Sequence, residues 1–187
     1  SNFIGVKWEK EALVPRVRRK ERSRTSRPKA PKRPMFCPST MPDASPLRLS
    51  TLLERGARLQ PDNLLVEKTA TGYSTTSYAA HAVAARALAL ALQASGVARG
   101  HRVATFCWNT NRHLACYHAI PLMGAVCHPL NIRLGPTELA WILGHADDRV
   151  AIVDAVLLDV FSRIPKEGLA GLHAVVVCGV DDTPGGW

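Results

Sequence analysis

Arg102-Val103-Ala104-Thr105-Phe106-Cys107-Trp108-Asn109-Thr110-Asn111, followed one helix-length later by Gly124-Ala125-Val126-Cys127-His128-Pro129-Leu130, is the stretch that decides the fold. Its first six residues read as a buried strand, since a strand covered on both faces carries a near-continuous apolar run instead of an alternating one. Asn109, Thr110 and Asn111 offer short side chains that cap a helix start, predicting a helix over 111–123 that Gly124 ends. Ala125–Leu130 is then the next strand.

The same alternation extends in both directions. Towards the C-terminus, Pro136 falls in the first turn of a third helix, where no N–H is needed. Leu139, Ile142, Leu143 and Ala146 form its i, i+3, i+4, i+7 stripe. Val150–Asp154 reads as a strand, 155–163 as a helix and His173–Cys178 as a last strand. Towards the N-terminus, Ser77–Ser95 is an alanine- and leucine-rich helix stopped by Gly96. It is apolar almost all round, with Arg86 and Gln93 sharing its small polar face, and is expected to be mostly buried. Before it come a short helix carrying Leu49, Leu52 and Leu53 with Ser50 as its cap, a turn at Gln60-Pro61-Asp62-Asn63, a strand over Leu64–Lys68 and a turn at Thr71-Gly72. Strands alternating with helices predict an α/β fold, a mostly parallel sheet flanked by helices on both faces.

Charge divides the chain sharply. Residues 1–40 hold twelve Lys/Arg against three Glu, the whole of the formal net charge of +9, while residues 41–187 balance at twelve of each. Repeated prolines and dense like charge oppose helix, sheet and collapse, so 1–40 is expected to be a disordered basic tail and 46–187 the globular part. An RNA-binding arm and an organelle-targeting segment are the functional readings of that tail. Glu9, Glu11 and Glu21 count against targeting, and Met41 as the true start is the plain reading. The terminal Pro184-Gly185-Gly186-Trp187 reads as a loop. The longest uncharged run, between Arg112 and Arg133, contains three histidines and two prolines and does not suit a membrane core. Five scattered cysteines, Cys37, Cys107, Cys116, Cys127 and Cys178, read as reduced thiols in a cytosol-like compartment.

Chemistry-bearing motifs are sparse. His113, Cys116 and His118 suggest a metal at first sight, but on a helix His118 points away from the other two, and a two-histidine chelate needs spacing four, not five. Apolar flanks raise thiol pKa values and speak against a cysteine nucleophile. Neither GxxxxGK[ST] nor GxGxxG occurs, so no phosphate cradle is visible. Arg133, at a strand end before a helix, stands where loops of open α/β sheets carry function, or it is a surface residue. No catalytic, cofactor-binding or metal-ligating residue is therefore assigned.

The run from Gly96-Val97 through Gly100-His101-Arg102-Val103-Ala104 to Asn109 resembles the "GV-x-x-GDRVA-x-x-x-x-N" segment of the AMP-forming acyl-CoA synthetases. Gly124-Ala125-Val126 through Leu130-Asn131-Ile132-Arg133-Leu134 is similar to that family's "GAV-x-x-x-LN-x-RL". Glu138 through His145-Ala146-Asp147-Asp148-Arg149-Val150 is similar to its "E-x-x-x-I-L-x-x-A-x-D-R-V". The wording is nearest to the medium- and long-chain fatty-acyl branch, including methylthiopropionate ligases, and the resemblance covers about residues 45–180. His101 stands where the family usually has Asp, and Ala115 where it usually has Glu. The resemblance implies the N-terminal subdomain of the adenylate-forming fold. It also implies an ATP-dependent acid–CoA ligase working through an acyl-adenylate, with ATP, Mg²⁺ and CoA used by the full-length enzyme and none bound by this portion. The family's phosphate loop and catalytic lid Lys map onto no position here, so the chain alone is expected to be inactive. A small-molecule carboxylic acid, a homodimer through this domain and a cytoplasmic location are further expectations, with mitochondrion or peroxisome the alternative should the tail be a targeting segment. No nucleic-acid partner is expected of the folded part. The competing reading is a non-catalytic remnant acting as a binding or dimerisation module.

Overall fold

The structure, a computed structural model, describes residues 3–5 and 48–179. Within the stretch expected to be disordered, Phe3–Gly5 forms a short strand, β1. The rest of that tail and the terminal loop lie outside the described residues.

Helix α1 spans Leu49–Leu59 and begins at Arg48, with no side-chain cap. Ser50, expected to cap it, instead lies inside its first turn. A Gln60–Asn63 turn, closed by the Asn63 N–H on the Gln60 carbonyl at 3.2 Å, leads into β2, Leu64–Thr69. The sequence reading ended its strand there. The structure adds β3, Gly72–Ser77, antiparallel to β2, because Tyr73, Thr75 and Thr76 suit a pleated surface and pair with Lys68, Val66 and Leu65. Ser77 then caps α2, Tyr78–Ala94, its hydroxyl accepting from the Ala80 N–H at 3.1 Å. Gly96 follows at φ +95°, the left-handed turn that ends such helices.

The core is a run of strand–helix units: β4 (Arg102–Phe106), α3 (Asn111–Leu122), β5 (Val126–Pro129), α4 (Pro136–Ala146), β6 (Asp148–Asp154), α5 (Leu158–Ser162) and β7 (Ala174–Cys178). The helix expected over 155–163 divides into a 3₁₀ turn, Ala155–Leu157, and the short α5. The strands form one sheet in the order β1-β7-β6-β4-β5 with every pair parallel. On one face α1, α2 and α3 pack on Val103, Val150, Ile152 and Cys178. On the other, α4 and α5 pack on Ala104, Phe106, Ala151 and Val153. The strict alternation of Val103, Ala104, Val150 and Ala151 between the faces explains why these strands read as unbroken apolar runs.

At the N-terminal edge of the sheet, Arg102 holds the end of α4. Its Nε donates to the Ala146 carbonyl at 2.6 Å, an acceptor that the helix end leaves open, and its Nη2 donates to the Asp147 carboxylate at 2.8 Å. One expectation is corrected in part. The inner face of α2 is buried, but Val83 and Leu90 on its outer face are 65% and 67% exposed, so the helix is not covered all round.

Candidate functional site

Strand order dictates where a site can form. From β4 the chain leaves over one face through α3, and from β6 it leaves over the other through α5, so the loops diverge and open a crevice at the carboxyl ends of these two strands. Trp108-Asn109-Thr110-Asn111-Arg112 after β4 and Asp154 at the end of β6 lie at those strand ends.

Thr110 is the residue that caps α3, among the three short polar residues the sequence offered. Its Oγ1 accepts from the His113 N–H at 3.2 Å. Glu67, reaching over from β2, places Oε2 at 2.9 Å from the Asn111 N–H. Its carboxylate therefore occupies the electropositive start of α3. The Asn111 amide donates to Thr76 Oγ1 at 3.4 Å, tying the β2–β3 hairpin to the same point. Between hairpin and helix lies an open cleft of about 270 Å³ that includes Leu65, Val66, Asn109, Leu114 and Tyr117 in its walls.

His113 is buried beneath this rim. One ring nitrogen, Nδ1, lies 3.1 Å from the Trp108 carbonyl and the other, Nε2, 3.0 Å from Thr105 Oγ1. A carbonyl only accepts, so Nδ1 carries the hydrogen and Nε2 accepts from the threonine hydroxyl. Burial pushes the His113 pKa below its ordinary value, against the opposing pull of the Trp108 bond and of Asp154. The ring is thus a neutral strut between β4 and α3. Gly179, just after β7, adopts φ +79°, and a Cβ there would come within 3.1 Å of both Arg112 Nη2 and Asp154 Oδ1. A side chain at this position would displace these two charged groups.

The residues considered from sequence are dispersed by the fold. His113 faces β4, Cys116 is buried in the core, and His118 Nδ1 meets His81 Nε2 of α2 at 2.9 Å. Among the described residues no three metal-ligating side chains gather. Burial raises the Cys116 thiol well above its ordinary value and that of Cys127 to about 11, the physical state of structural thiols. Arg133 is exposed, and its N–H donates to Asn131 Oδ1 at 3.0 Å in the turn leading to α4. His101, in the place of the expected Asp, accepts the Ala98 N–H on its Nδ1 at 3.1 Å. Glu67, Asp154 and Gly179 had no local signal: each acquires its role through contacts with residues far away in sequence.

Residues 53–183 match the family model described as AMP-binding enzyme. The chain belongs to the AMP-binding enzyme family. It is 44% identical over 141 residues to a long-chain-fatty-acid–CoA ligase of Thermus thermophilus, an alignment covering 75% of this chain and 26% of that protein. It is 36% identical over 138 residues to a 3-methylmercaptopropionyl-CoA ligase of Ruegeria pomeroyi, covering 73% of this chain and 25% of the relative. The fold is that of a fatty acyl CoA synthetase of Mycobacterium tuberculosis, with TM-score 0.61 at 23% identity over 70% of this chain and 26% of that one. The family member described here thus spans about a quarter of the length of the relatives it matches, and it corresponds to their N-terminal part.

Proposed function

We propose that this chain supplies the first strands and helices of an ATP-dependent carboxylic acid–CoA ligase of the fatty-acyl branch, serving as scaffold for an adenylation site that it does not itself complete. The observation that carries the reading is the 44% identity to the Thermus thermophilus ligase over 141 residues, 75% of this chain. Two observations on the described residues support placing the triphosphate and its metal elsewhere. The start of α3, at the carboxyl edge of the sheet, is occupied by the Glu67 carboxylate, and the described residues gather no group of three metal-ligating side chains. Contacts to ATP, Mg²⁺, CoA and the acid substrate are therefore assigned, within this proposal, to the three quarters of the relatives that the alignment does not reach. The proposed compartment is the cytoplasm. No helix among the described residues is long and apolar enough to cross a membrane.

The exposed outer face of α2 favours a second reading, in which this unit acts as a non-catalytic docking or dimerisation module. A chimera separates the two. Residues 48–179 replace their counterpart in the Thermus thermophilus ligase, and pyrophosphate release is measured with ATP, Mg²⁺ and a panel of fatty acids. The scaffold reading expects turnover from the folded chimera and none from the 187-residue chain alone. A folded but inactive chimera, or turnover by the isolated chain above a heat-killed control, refutes it.

A further inference from the structure

Two histidines that no motif absorbs meet between α2 and α3. His81 Nε2 and His118 Nδ1 are 2.9 Å apart, and the rings stand edge to face, with centroids 5.1 Å apart and planes at 78°. A nitrogen–nitrogen hydrogen bond needs one N–H and one lone pair, so at least one ring must be neutral. His81 is only 5% exposed, leaving almost no water to solvate a charge there.

Among the described residues the surroundings supply no counter-ion. The group acting on His81 from α3 is His118 itself, and neither ring is influenced by a carboxylate. From α1 the core neighbours are Leu53 and Ala57, while the charged Glu54, Arg55 and Arg58 are exposed, as is Arg86 on α2 itself. On α3, Cys116 lies in the same core, and Tyr117 is exposed. Nothing on β3, which leads into α2, is charged. Burial lowers both histidine pKa values. The repulsion between the rings adds to this at His81, while a bond to the Leu114 carbonyl opposes it at His118.

We propose that the His81–His118 bond is a pH-sensitive latch between α2 and α3, closed while one ring is neutral and released when both are protonated. Two imidazolium rings would present N–H to N–H at 2.9 Å, with His81 buried and His118 half-buried beside the apolar core. Release loosens α3, whose start carries the Thr110 cap, Asn111 and the buried His113. The latch is independent of the ligase reading, because it rests on helix packing alone.

The test compares the full 187-residue chain with His81→Gln, whose amide keeps a hydrogen bond and cannot titrate. With an unfolded-state pKa of about 6.5, each proton excluded from the folded state lowers the folding constant about tenfold between pH 7.5 and 5.5. Urea unfolding at the two pH values should show the native chain losing about tenfold more than the variant; an equal loss overturns the latch. If the variant does not fold, ring ¹⁵N shifts of the native chain decide. Neither ring completing its titration above pH 6.5, with a donor and an acceptor nitrogen facing each other, supports the latch. Two rings titrating at or above 6.5 overturn it.

Discussion

Single residues in this protein act mainly by satisfying backbone groups and other side chains across the sheet. His113 is the plainest case, because both ring nitrogens are engaged and the hydrogen sits on Nδ1. Thr105→Val keeps the shape of the strand residue and removes the donor to Nε2, leaving a buried acceptor unsatisfied. This should cost about 1–3 kcal/mol at pH 7.5. Burial holds the folded-state pKa of His113 below 6.5, so the unfolded chain takes up the proton first as pH falls. Its contribution is therefore fully present above about pH 6.5 and is lost on acidification below that value. His101 is shifted in the same direction, by burial first and then by Arg149 and Arg102. Urea midpoints should accordingly fall between pH 7.5 and 5.5. A neutral Thr105→Val, or a midpoint that rises on acidification, would contradict the strut.

At the scale of elements, helix ends distinguish what a local pattern can say. Thr110 and Ser77 cap α3 and α2 with side-chain hydrogen bonds, whereas Ser50 does not cap α1. Thr110→Ala should cost about 1 kcal/mol, and Ser50→Ala should stay within about 0.3 kcal/mol, since only the first leaves a helix N–H without its acceptor. Thermal melts of the pair check this, and equal effects would show that the caps are misassigned. Gly96, Gly124 and Pro136 were legible as helix punctuation, because backbone conformation at a glycine or proline is decided by the residue itself. The strand β3 was not. Gly72–Ser77 carries no apolar alternation, and it is a strand only because β2 lies beside it. Over 155–163 the structure forms a 3₁₀ turn and a five-residue α-helix instead of one continuous helix.

For the whole molecule, the distribution of apolar surface sets the expectation. Val83 and Leu90 lie seven residues apart on the outer face of α2, with Ala80, Ala87 and Ala94 along the same stripe. Leu49, Leu52 and Leu59 of α1 and Leu64, Val66 and Tyr73 of the hairpin are also exposed. A surface of this character in water favours association. The chain should therefore sediment as concentration-dependent oligomers or bind a hydrophobic dye, and Val83→Lys with Leu90→Lys should shift it towards monomer. A sharp monomer at every concentration, with dispersed amide signals and a cooperative melt, would contradict this.

By itself the sequence determined the α/β class, the positions of most strands and helices, and the ordered motifs that point to the acyl-CoA synthetases. These follow from local rules: apolar runs for strands buried on both sides, small or cyclic residues where the backbone turns, and periodic stripes for helices. Only the tertiary structure decided that the chain leaves the neighbouring strands β4 and β6 over opposite faces, that Glu67 fills the start of α3, and that His81 and His118 share a hydrogen bond. Such arrangements depend on strand order and on contacts between residues 37 to 44 positions apart. A linear pattern carries no record of them, because the energy that selects them comes from burying groups that the chain brings together only on folding.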